Sequence, residues 1–285
     1  MERYTISQFN QDFANDDACL EWLKNHLYPE GIFCHTCNRV TKHHKVASRP
    51  SYSCDHCGHH VHPTVGTIFE KSTTPLKRWF HSIFLMSSTR CGISAKQIER
   101  ETGVTYKTAW RMFKQIRTLL TEPTEKLAGE VEVDETYVGG KRHGKRGRGA
   151  EGKTPVVGAV QRKGKVVAKA VPHVKKSVLV PFMASKVSRA ATLYTDEFPA
   201  YNHMTRLGYR HLRIEHGAKV YAIGSIHTNT IEGFWSLVKR GISGVYHAVS
   251  PKYLQSYLNE YAFRYNHRKD EAPMFKTVLN QIATS

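Results

Sequence analysis

Three acidic residues and one lysine have side chains and spacing suited to phosphoryl-transfer chemistry. Asp134 lies in the alternating stretch "EVEVDETYV", and Asp196 lies in "LYTDEF". Glu232 precedes Lys239 by seven residues in "HTNTIEGFWSLVKRG". Carboxylate oxygens suit Mg²⁺, which keeps its other positions for water and phosphate. Two such ions can activate an attacking oxygen and stabilise a leaving oxygen at phosphorus. The acids therefore predict a metal site if the fold brings them together.

Each acid also has a simpler interpretation. A single surface acid is more often solvated than catalytic, so the assignment depends on convergence. Asn229 and Glu232 have the N-x-x-E spacing of a capping box, which is an alternative role for Glu232. Neighbouring acids are alternative candidates at the other two positions. They are Glu132 and Glu135 in place of Asp134, and Glu197 in place of Asp196.

The elements around the acids predict a succession of strands and helices. "EVEVDETYV" alternates, with Val131 and Val133 on one face and Asp134 on the other. "PVVGAV" and "VVAKAV" predict a hairpin, followed by a helix at 175–187, the strand "ATLYTDEF", a short helix near "PAYNHMTRLG" and the strand "HLRIEHG". The helix of Glu232 comes last. This order is that of a ribonuclease-H-like α/β domain, which we expect over residues 128–270.

The last helix has an apolar stripe at helical spacing, which predicts that it packs on the sheet. At about 100° per residue, Glu232 and Lys239 point within roughly 20° of each other beside this stripe. The stripe comprises Ile231, Phe234, Trp235 and Val238.

Two pairs of cysteines predict a structural zinc site. "CHTC" and "CDHC" follow the pattern C-x2-C, sixteen residues, C-x2-C. Two thiolates two residues apart can hold one side of a tetrahedral Zn²⁺, and a second pair completes the coordination. The alternative is a redox or disulfide pair. The predicted ligands are Cys34, Cys37, Cys54 and Cys57, which leaves Cys19 and Cys91 unpaired.

Residues 74–121 predict a helix-turn-helix. A helix ends near Gly103, and "VTYKTAWRMFKQIRTLL" begins the next after a short turn. In such a motif the second helix enters the DNA major groove by its N-terminal end. A plain helical hairpin is the alternative. The candidate DNA contacts are Tyr106, Lys107, Thr108 and Arg111.

The overall charge indicates a polyanionic partner. Lys and Arg number 42 against 24 Asp and Glu, a formal net charge of +18, which favours nucleic acid. The N-terminus has no apolar signal core and no run is long enough for a membrane helix, so we expect a cytoplasmic, nucleoid-associated protein without membrane contact. A glycine-rich loop carries further candidate phosphate contacts: Lys141, Arg142, Lys145, Arg146 and Arg148.

These features predict a multidomain α+β protein, with an N-terminal zinc ribbon and helix-turn-helix before the ribonuclease-H-like catalytic domain. The expected order is a helical element (1–27), the ribbon (28–70), the helix-turn-helix (74–121), the catalytic domain (128–270) and a C-terminal tail (271–285).

The motifs together resemble a known family. "EVDETYVGGK", "YTDEF", "HTNTIEGFWSLVKRG" and "YLNEYAFRYNHR" are similar to motifs of the DDE transposases of bacterial insertion sequences. The resemblance is to the zinc-ribbon group related to Merlin elements, and it extends from the ribbon to about residue 270. It implies that Asp134, Asp196 and Glu232 form the catalytic triad, and that Lys239 is the lysine following the third acid.

The resemblance also implies activity, cofactors and partners. The family cuts and joins DNA at the ends of its own mobile element, using Mg²⁺ or Mn²⁺. Asp134 would bridge two ions, with Asp196 on one and Glu232 on the other, while Lys239 and Asn229 would contact DNA. Terminal inverted repeats and target DNA are the expected partners, bound by a homodimer or larger assembly. A nuclease without strand transfer and a non-catalytic DNA-binding regulator are the alternatives.

Overall fold

The computed structural model describes residues 4–123, 125–139, 152–214 and 227–283. The chain divides into two compact units. The first comprises Met1–Thr89, Ala95–Leu119 and Asp270–Ser285, and the second comprises Arg90–Ser94 and Leu120–Lys269. Within the described ranges, no helix has both the length and the apolar character required to cross a membrane.

In the first half of the chain, two helices are followed by five short strands and then by three helices. They are α1 (Ile6–Asp12), α2 (Asp16–Leu27), β1 (Phe33–Cys34), β2 (Arg39–Val40), β3 (His43–Lys45), β4 (Tyr52–Cys54), β5 (His60–Val61), α3 (Leu76–Ser88), α4 (Ala95–Thr102) and α5 (Tyr106–Thr118). Longer strands and four further helices make up the described remainder of the chain. They are β6 (Glu130–Val138), β7 (Thr154–Gln161), β8 (Val166–Ala170), α6 (Lys176–Lys186), β9 (Thr192–Asp196), β10 (Arg210–Ile214), α7 (Asn229–Gly241), α8 (Pro251–Asn266) and α9 (Met274–Leu279).

The first unit combines two small sheets with helices. Strands β1 and β2 form an antiparallel hairpin, and β3, β4 and β5 form a three-stranded antiparallel sheet. Helix α3 buries Trp79 and Phe80 and contacts α2, α4, α5 and α9. Phe275 of α9 meets Phe84 of α3 edge to face, with ring centroids 5.7 Å apart. Residues 271–285, predicted to be a C-terminal tail, therefore include a packed helix.

A short turn connects α4 and α5. Gly103 occupies the left-handed region with φ +67°, which glycine adopts at little cost and other residues adopt rarely. Thr105 then begins α5, because its side-chain oxygen accepts the Thr108 amide and so satisfies a donor that has no partner inside the helix. The turn is compact as a result, and α4 and α5 pack against each other.

The second unit is built on a five-stranded sheet in the order β10-β9-β6-β7-β8. Strands β6, β7 and β8 are antiparallel neighbours, while β9 runs parallel to β6 and β10 parallel to β9. The predicted succession of strands and helices is confirmed along this unit. The predicted helix near 199–208 consists of two 3₁₀ turns, Pro199–Tyr201 and Thr205–Leu207.

Helices cover both faces of this sheet. Val131, Val133 and Leu193 lie in a core with Leu179 and Met183 of α6. On the opposite face, valines of β7 and β8 pack in a core with residues of α7 and α8. Helix α7 buries all four residues of its predicted stripe, Ile231, Phe234, Trp235 and Val238. Burial of that stripe fixes which side of α7 faces the solvent.

Candidate active site and zinc cluster

The four predicted cysteines converge in the ribbon. All four sulfur atoms lie within 4.8 Å of one another, with Cys34 and Cys57 Sγ 3.5 Å apart and Cys37 and Cys54 Sγ 3.9 Å apart. A tetrahedral zinc with Zn–S bonds of about 2.3 Å requires sulfur–sulfur separations of about 3.8 Å. The cluster therefore fits a structural zinc ion held by four cysteines.

Local contacts at the cluster favour the metal-binding form of one sulfur. The Thr41 hydroxyl lies 3.2 Å from Cys54 Sγ and is the main cause that lowers the pKa of that thiol to about 5. The neighbouring Cys57 sulfur is the main cause that raises the pKa of Cys37 to about 12. Because thiolates this close repel one another, full deprotonation of the cluster requires a cation.

Asp134 lies in the middle of β6 on the face that carries α7. The Trp235 indole Nε1 donates a hydrogen bond to its Oδ2 over 3.1 Å. Burial, followed by the charges of Glu135, Asp196 and Glu232, raises the pKa of Asp134 from 3.8 to about 7. The structure therefore brings Asp196 and Glu232 close enough for their charges to act on Asp134.

Sheet register explains why Asp134 and Asp196 lie near each other. Glu132 of β6 is the Cα partner of Tyr194 on the parallel strand β9. The pairing ends there, and Asp134 and Asp196 each lie two residues beyond it, Asp196 as the last residue of β9. Neighbouring strands lie about 4.8 Å apart. Asp196 Oδ1 accepts the Phe198 amide over 3.0 Å, which orients the carboxylate at the strand end.

Glu232 and Lys239 lie on the exposed side of α7, in its first and last turns. Thr228 precedes the helix, and its hydroxyl donates to Glu232 Oε1 over 3.0 Å. The capping-box alternative is wrong, because the N-cap position belongs to Thr228 and exposed Asn229 is already the first helical residue. Glu232 is therefore not required to close its own helix.

The three acids are near one another without forming a metal cage. In the described part of the chain, the four-cysteine cluster is the one group of three or more cysteine, histidine or acidic side chains close enough to hold an ion. Asp134, Asp196 and Glu232 each accept a hydrogen bond from a neighbouring residue. Carboxylates that share a site and raise the pKa of one member form a donor set that suits Mg²⁺ or Mn²⁺.

The competing acids have other partners. Glu132 is fully buried and accepts hydrogen bonds from Thr230 and Ile231 of α7 and from Arg162. Glu135 points to the other face of the sheet and accepts from the buried Tyr201 hydroxyl over 2.8 Å. The partners of Glu132 were not predicted from the sequence, and Trp235 was predicted only as a core residue. A carboxylate alternating with apolar residues on a covered strand was the available signal for Glu132.

Most of the candidate DNA contacts on α5 face the solvent. Tyr106, Lys107 and Arg111 are exposed, whereas the Thr108 hydroxyl lies 3.1 Å from that of Thr105 within the helix start. Lys96 Nζ lies 5.8 Å from the centroid of the Tyr106 ring and also pairs with Glu99, so one further cation lies at the N-terminal end of α5. The basic-loop candidates lie outside the described residues: Lys141, Arg142, Lys145, Arg146 and Arg148.

Comparisons with known proteins agree with this layout. Residues 126–266 match the ISXO2-like transposase domain, and residues 14–60 match the transposase zinc-ribbon domain. A relative from Halobacterium salinarum, described as an uncharacterized protein in transposable element ISH50, is 28% identical over 290 residues, covering 94% of this chain and 97% of its own length.

A solved chain from the simian T-cell lymphotropic virus intasome in complex with PP2A regulatory subunit B56 gamma also matches. Its identity is 18% and its TM-score 0.31, with 62% of this chain and 66% of that chain covered. The two domain matches and the insertion-sequence relative carry the assignment. The chain belongs to the ISXO2-like family of insertion-sequence DDE transposases, with an N-terminal transposase zinc ribbon.

Proposed function

We propose that this transposase binds the ends of its mobile element and catalyses metal-dependent DNA cleavage and strand transfer. The observation that carries the proposal is the state of Asp134, whose pKa is raised to about 7 by burial and by neighbouring acids that include Asp196 and Glu232. Carboxylates that repel one another in a partly buried site gain most from a shared divalent cation. The three acids are the proposed metal ligands.

The sheet supports a ribonuclease-H-like catalytic domain. Three antiparallel strands followed by two parallel strands, with α6 on one face and α7 and α8 on the other, are the layers that this proposal requires. In this arrangement the proposed metal ligands come from the middle of β6, the end of β9 and the first turn of α7. Rigid elements therefore position all three side chains.

Bound Mg²⁺ or Mn²⁺ would activate the attacking oxygen and stabilise the leaving oxygen of an in-line phosphoryl transfer. The chain's own residues hold and orient the DNA. Lys239 on the exposed side of α7 would contact a backbone phosphate as a point charge, and exposed Asn229 would contact the DNA beside it. The basic-loop residues would add phosphate contacts, whose contribution falls as salt rises.

Helices α4 and α5 are the proposed helix-turn-helix. Their short turn at Gly103 and the exposed residues Tyr106, Lys107 and Arg111 at the start of α5 support this role. Two element ends must be processed together, so we propose that a homodimer or larger assembly acts on the DNA. Lys107→Ala should weaken binding to element-end DNA. It should also reduce the slope of log binding constant against log salt concentration by about one unit.

Strand transfer by the full-length protein, with element-end DNA and a supercoiled target plasmid in Mg²⁺ or Mn²⁺, tests the catalytic assignment. Asp134→Asn should abolish joining while retaining end binding. Glu197→Gln, which alters an exposed acid beside Asp196, is the matched control and should remain active. Joining by Asp134→Asn would refute the assigned site.

The same assay separates the alternatives by their products. Cleaved ends that are never joined would indicate a nuclease without strand transfer. Specific end binding with no cleavage in either metal would indicate a DNA-binding regulator. Joined products from the unaltered protein, lost in Asp134→Asn and kept in Glu197→Gln, are the expected result.

A further inference from the structure

Glu132 of β6 is a buried carboxylate with an unusual set of partners. Its side chain is fully buried, yet it lies two residues before Asp134 on the same strand face. Its Oε2 accepts the backbone amides of Thr230 over 2.8 Å and of Ile231 over 3.0 Å. Its Oε1 accepts the Thr230 hydroxyl over 2.9 Å and Arg162 Nε over 2.8 Å. Both oxygens are therefore committed within the protein.

These contacts supply the cap that α7 lacks locally. The first turn of any helix leaves amide donors without intrahelical partners, and a negative charge there also interacts favourably with the helix dipole. The N-cap residue Thr228 makes no side-chain capping bond to α7 amides. Glu132, on a strand nearly a hundred residues earlier, accepts hydrogen bonds from two of those amides. They belong to Thr230 and Ile231, the two residues before Glu232.

Arg162 extends this connection to the third acid-bearing element. Its Nη2 donates to the His227 carbonyl oxygen over 2.8 Å, just before α7. Its guanidinium lies 4.0 Å from the centroid of the Tyr194 ring, and Tyr194 lies two residues before Asp196 on β9. The Glu132–Arg162 pair thus joins β6, β9 and the start of α7, the three elements that carry the proposed metal ligands.

We propose that Glu132 is a positioning residue that sets Glu232 against Asp134 by capping α7 from β6. This inference rests on the proposed function. Glu132 acts through the helix and contacts neither metal nor DNA, because hydrogen bonds from inside the protein occupy both of its oxygens. Removing its charge should therefore misplace Glu232 without removing any proposed metal ligand.

Glu132→Gln tests this role, because the amide keeps the side-chain shape but loses the charge and one acceptor, so it cannot accept from both the α7 amides and Arg162. Glu130→Gln is a matched control. Glu130 lies on the same strand face and accepts from Arg162 over 3.3 Å and from Tyr194 over 2.7 Å, but its bonds do not reach α7. Hydrogen exchange of the zinc-loaded, full-length protein without Mg²⁺ or DNA should show about 10-fold faster exchange at the Thr230 and Ile231 amides in Glu132→Gln alone.

A calorimetric Mn²⁺ titration provides the second readout. Glu132→Gln should weaken Mn²⁺ binding about 10-fold, as is typical when a residue that orients metal ligands is lost, while end-DNA affinity stays within 2-fold. Glu130→Gln should match the unaltered protein in both readouts. Equal behaviour of the two variants, in exchange or in Mn²⁺ affinity, would overturn the proposal.

Thr230→Val keeps the inference testable if Glu132→Gln does not fold. It removes one hydroxyl bond to Glu132 and should change both readouts in the same direction by about 2-fold to 3-fold. No change in either readout would overturn the proposal. Amide exchange is measured without metal, DNA or catalysis, so failure of the cap is distinguishable from failure of the proposed transposition chemistry.

Discussion

The Trp235 indole donates to Asp134 Oδ2 over 3.1 Å, and this contact depends on a glycine across the sheet. Gly158 of β7 is the Cα partner of Asp134 in the antiparallel β6–β7 pair. A Cβ at Gly158 would lie 2.6 Å from ring atoms of Trp235, closer than carbon atoms can approach. The absent side chain therefore provides the space for the ring that orients Asp134.

Gly158→Ala should displace Trp235 and break its bond to Asp134. We expect a loss of about 1–3 kcal/mol in unfolding free energy from overpacking, together with loss of strand transfer. Gly233→Ala is the control, because Gly233 lies on the exposed side of α7 and its Cβ would meet nothing within 4 Å. It should stabilise the helix by roughly 0.5–1 kcal/mol. Denaturant unfolding measures both effects, and an unchanged Gly158→Ala protein would contradict the account.

Asp134→Asn should stabilise the protein when no divalent ion is added. The folded state holds the Asp134 proton up to a pKa of about 7, against 3.8 unperturbed, so folded molecules bind more protons between these values. Unfolding free energy therefore falls as pH rises through this window. At pH 8 we expect the unfolding free energy of the variant to exceed that of the unaltered protein by about 2–4 kcal/mol. The two unfolding free energies should converge near pH 4.

Unfolding curves of both proteins, compared at each of several pH values so that any zinc released in acid affects both alike, check this expectation. Glu197→Gln serves as the control and should follow the unaltered protein across the range. A variant Asp134→Asn that is less stable at pH 8 would show that burial and neighbouring charge do not oppose ionisation of Asp134. Added Mg²⁺ should stabilise the unaltered protein more than Asp134→Asn, because the ion offsets the repulsion among the acids.

Cys37→Ser should remove the zinc ion and destabilise the ribbon. Four thiolates within 4.8 Å are expected to bind one zinc per chain, and loss of one ligand opens the site. Elemental analysis and the visible spectrum of the cobalt-substituted protein measure the change. Cys91→Ser, which alters an exposed cysteine outside the cluster, should retain a full equivalent of zinc. Full zinc occupancy in Cys37→Ser would exclude the four-cysteine site.

Glu232→Gln and Lys239→Ala should have separable effects. Loss of the proposed metal ligand should lower strand transfer about 100-fold or more and spare end binding. Lys239→Ala should mainly raise the Kd for end DNA, by about 3-fold to 10-fold, because one phosphate contact is lost. Arg240→Ala, at the next exposed position, is the matched control. An equal effect at Arg240 would indicate general positive charge rather than a specific role for Lys239.

Local sequence determined much of this protein. Cysteine spacing predicted the four-sulfur cluster, because a C-x2-C turn places two sulfurs together wherever it occurs. Helical periodicity predicted the buried stripe of α7, which includes Ile231 and Val238, and alternation predicted the two faces of β6. These features depend on residues a few positions apart, so the sequence alone carries them. The motif resemblance supplied the family, and the domain matches agree with it.

The partners of the neighbouring acids depend on the folded structure and could not be predicted from the sequence. Glu132, Asp134 and Glu135 are near-neighbours in sequence, but strand pairing sends Glu132 to the start of α7, Asp134 to Trp235 and Glu135 to Tyr201. The capping-box spacing of Asn229 and Glu232 failed because a carboxylate from β6 supplies the cap instead. Sheet order and register determine which residues nearly a hundred positions apart become hydrogen-bond partners. No local pattern in the sequence encodes that pairing.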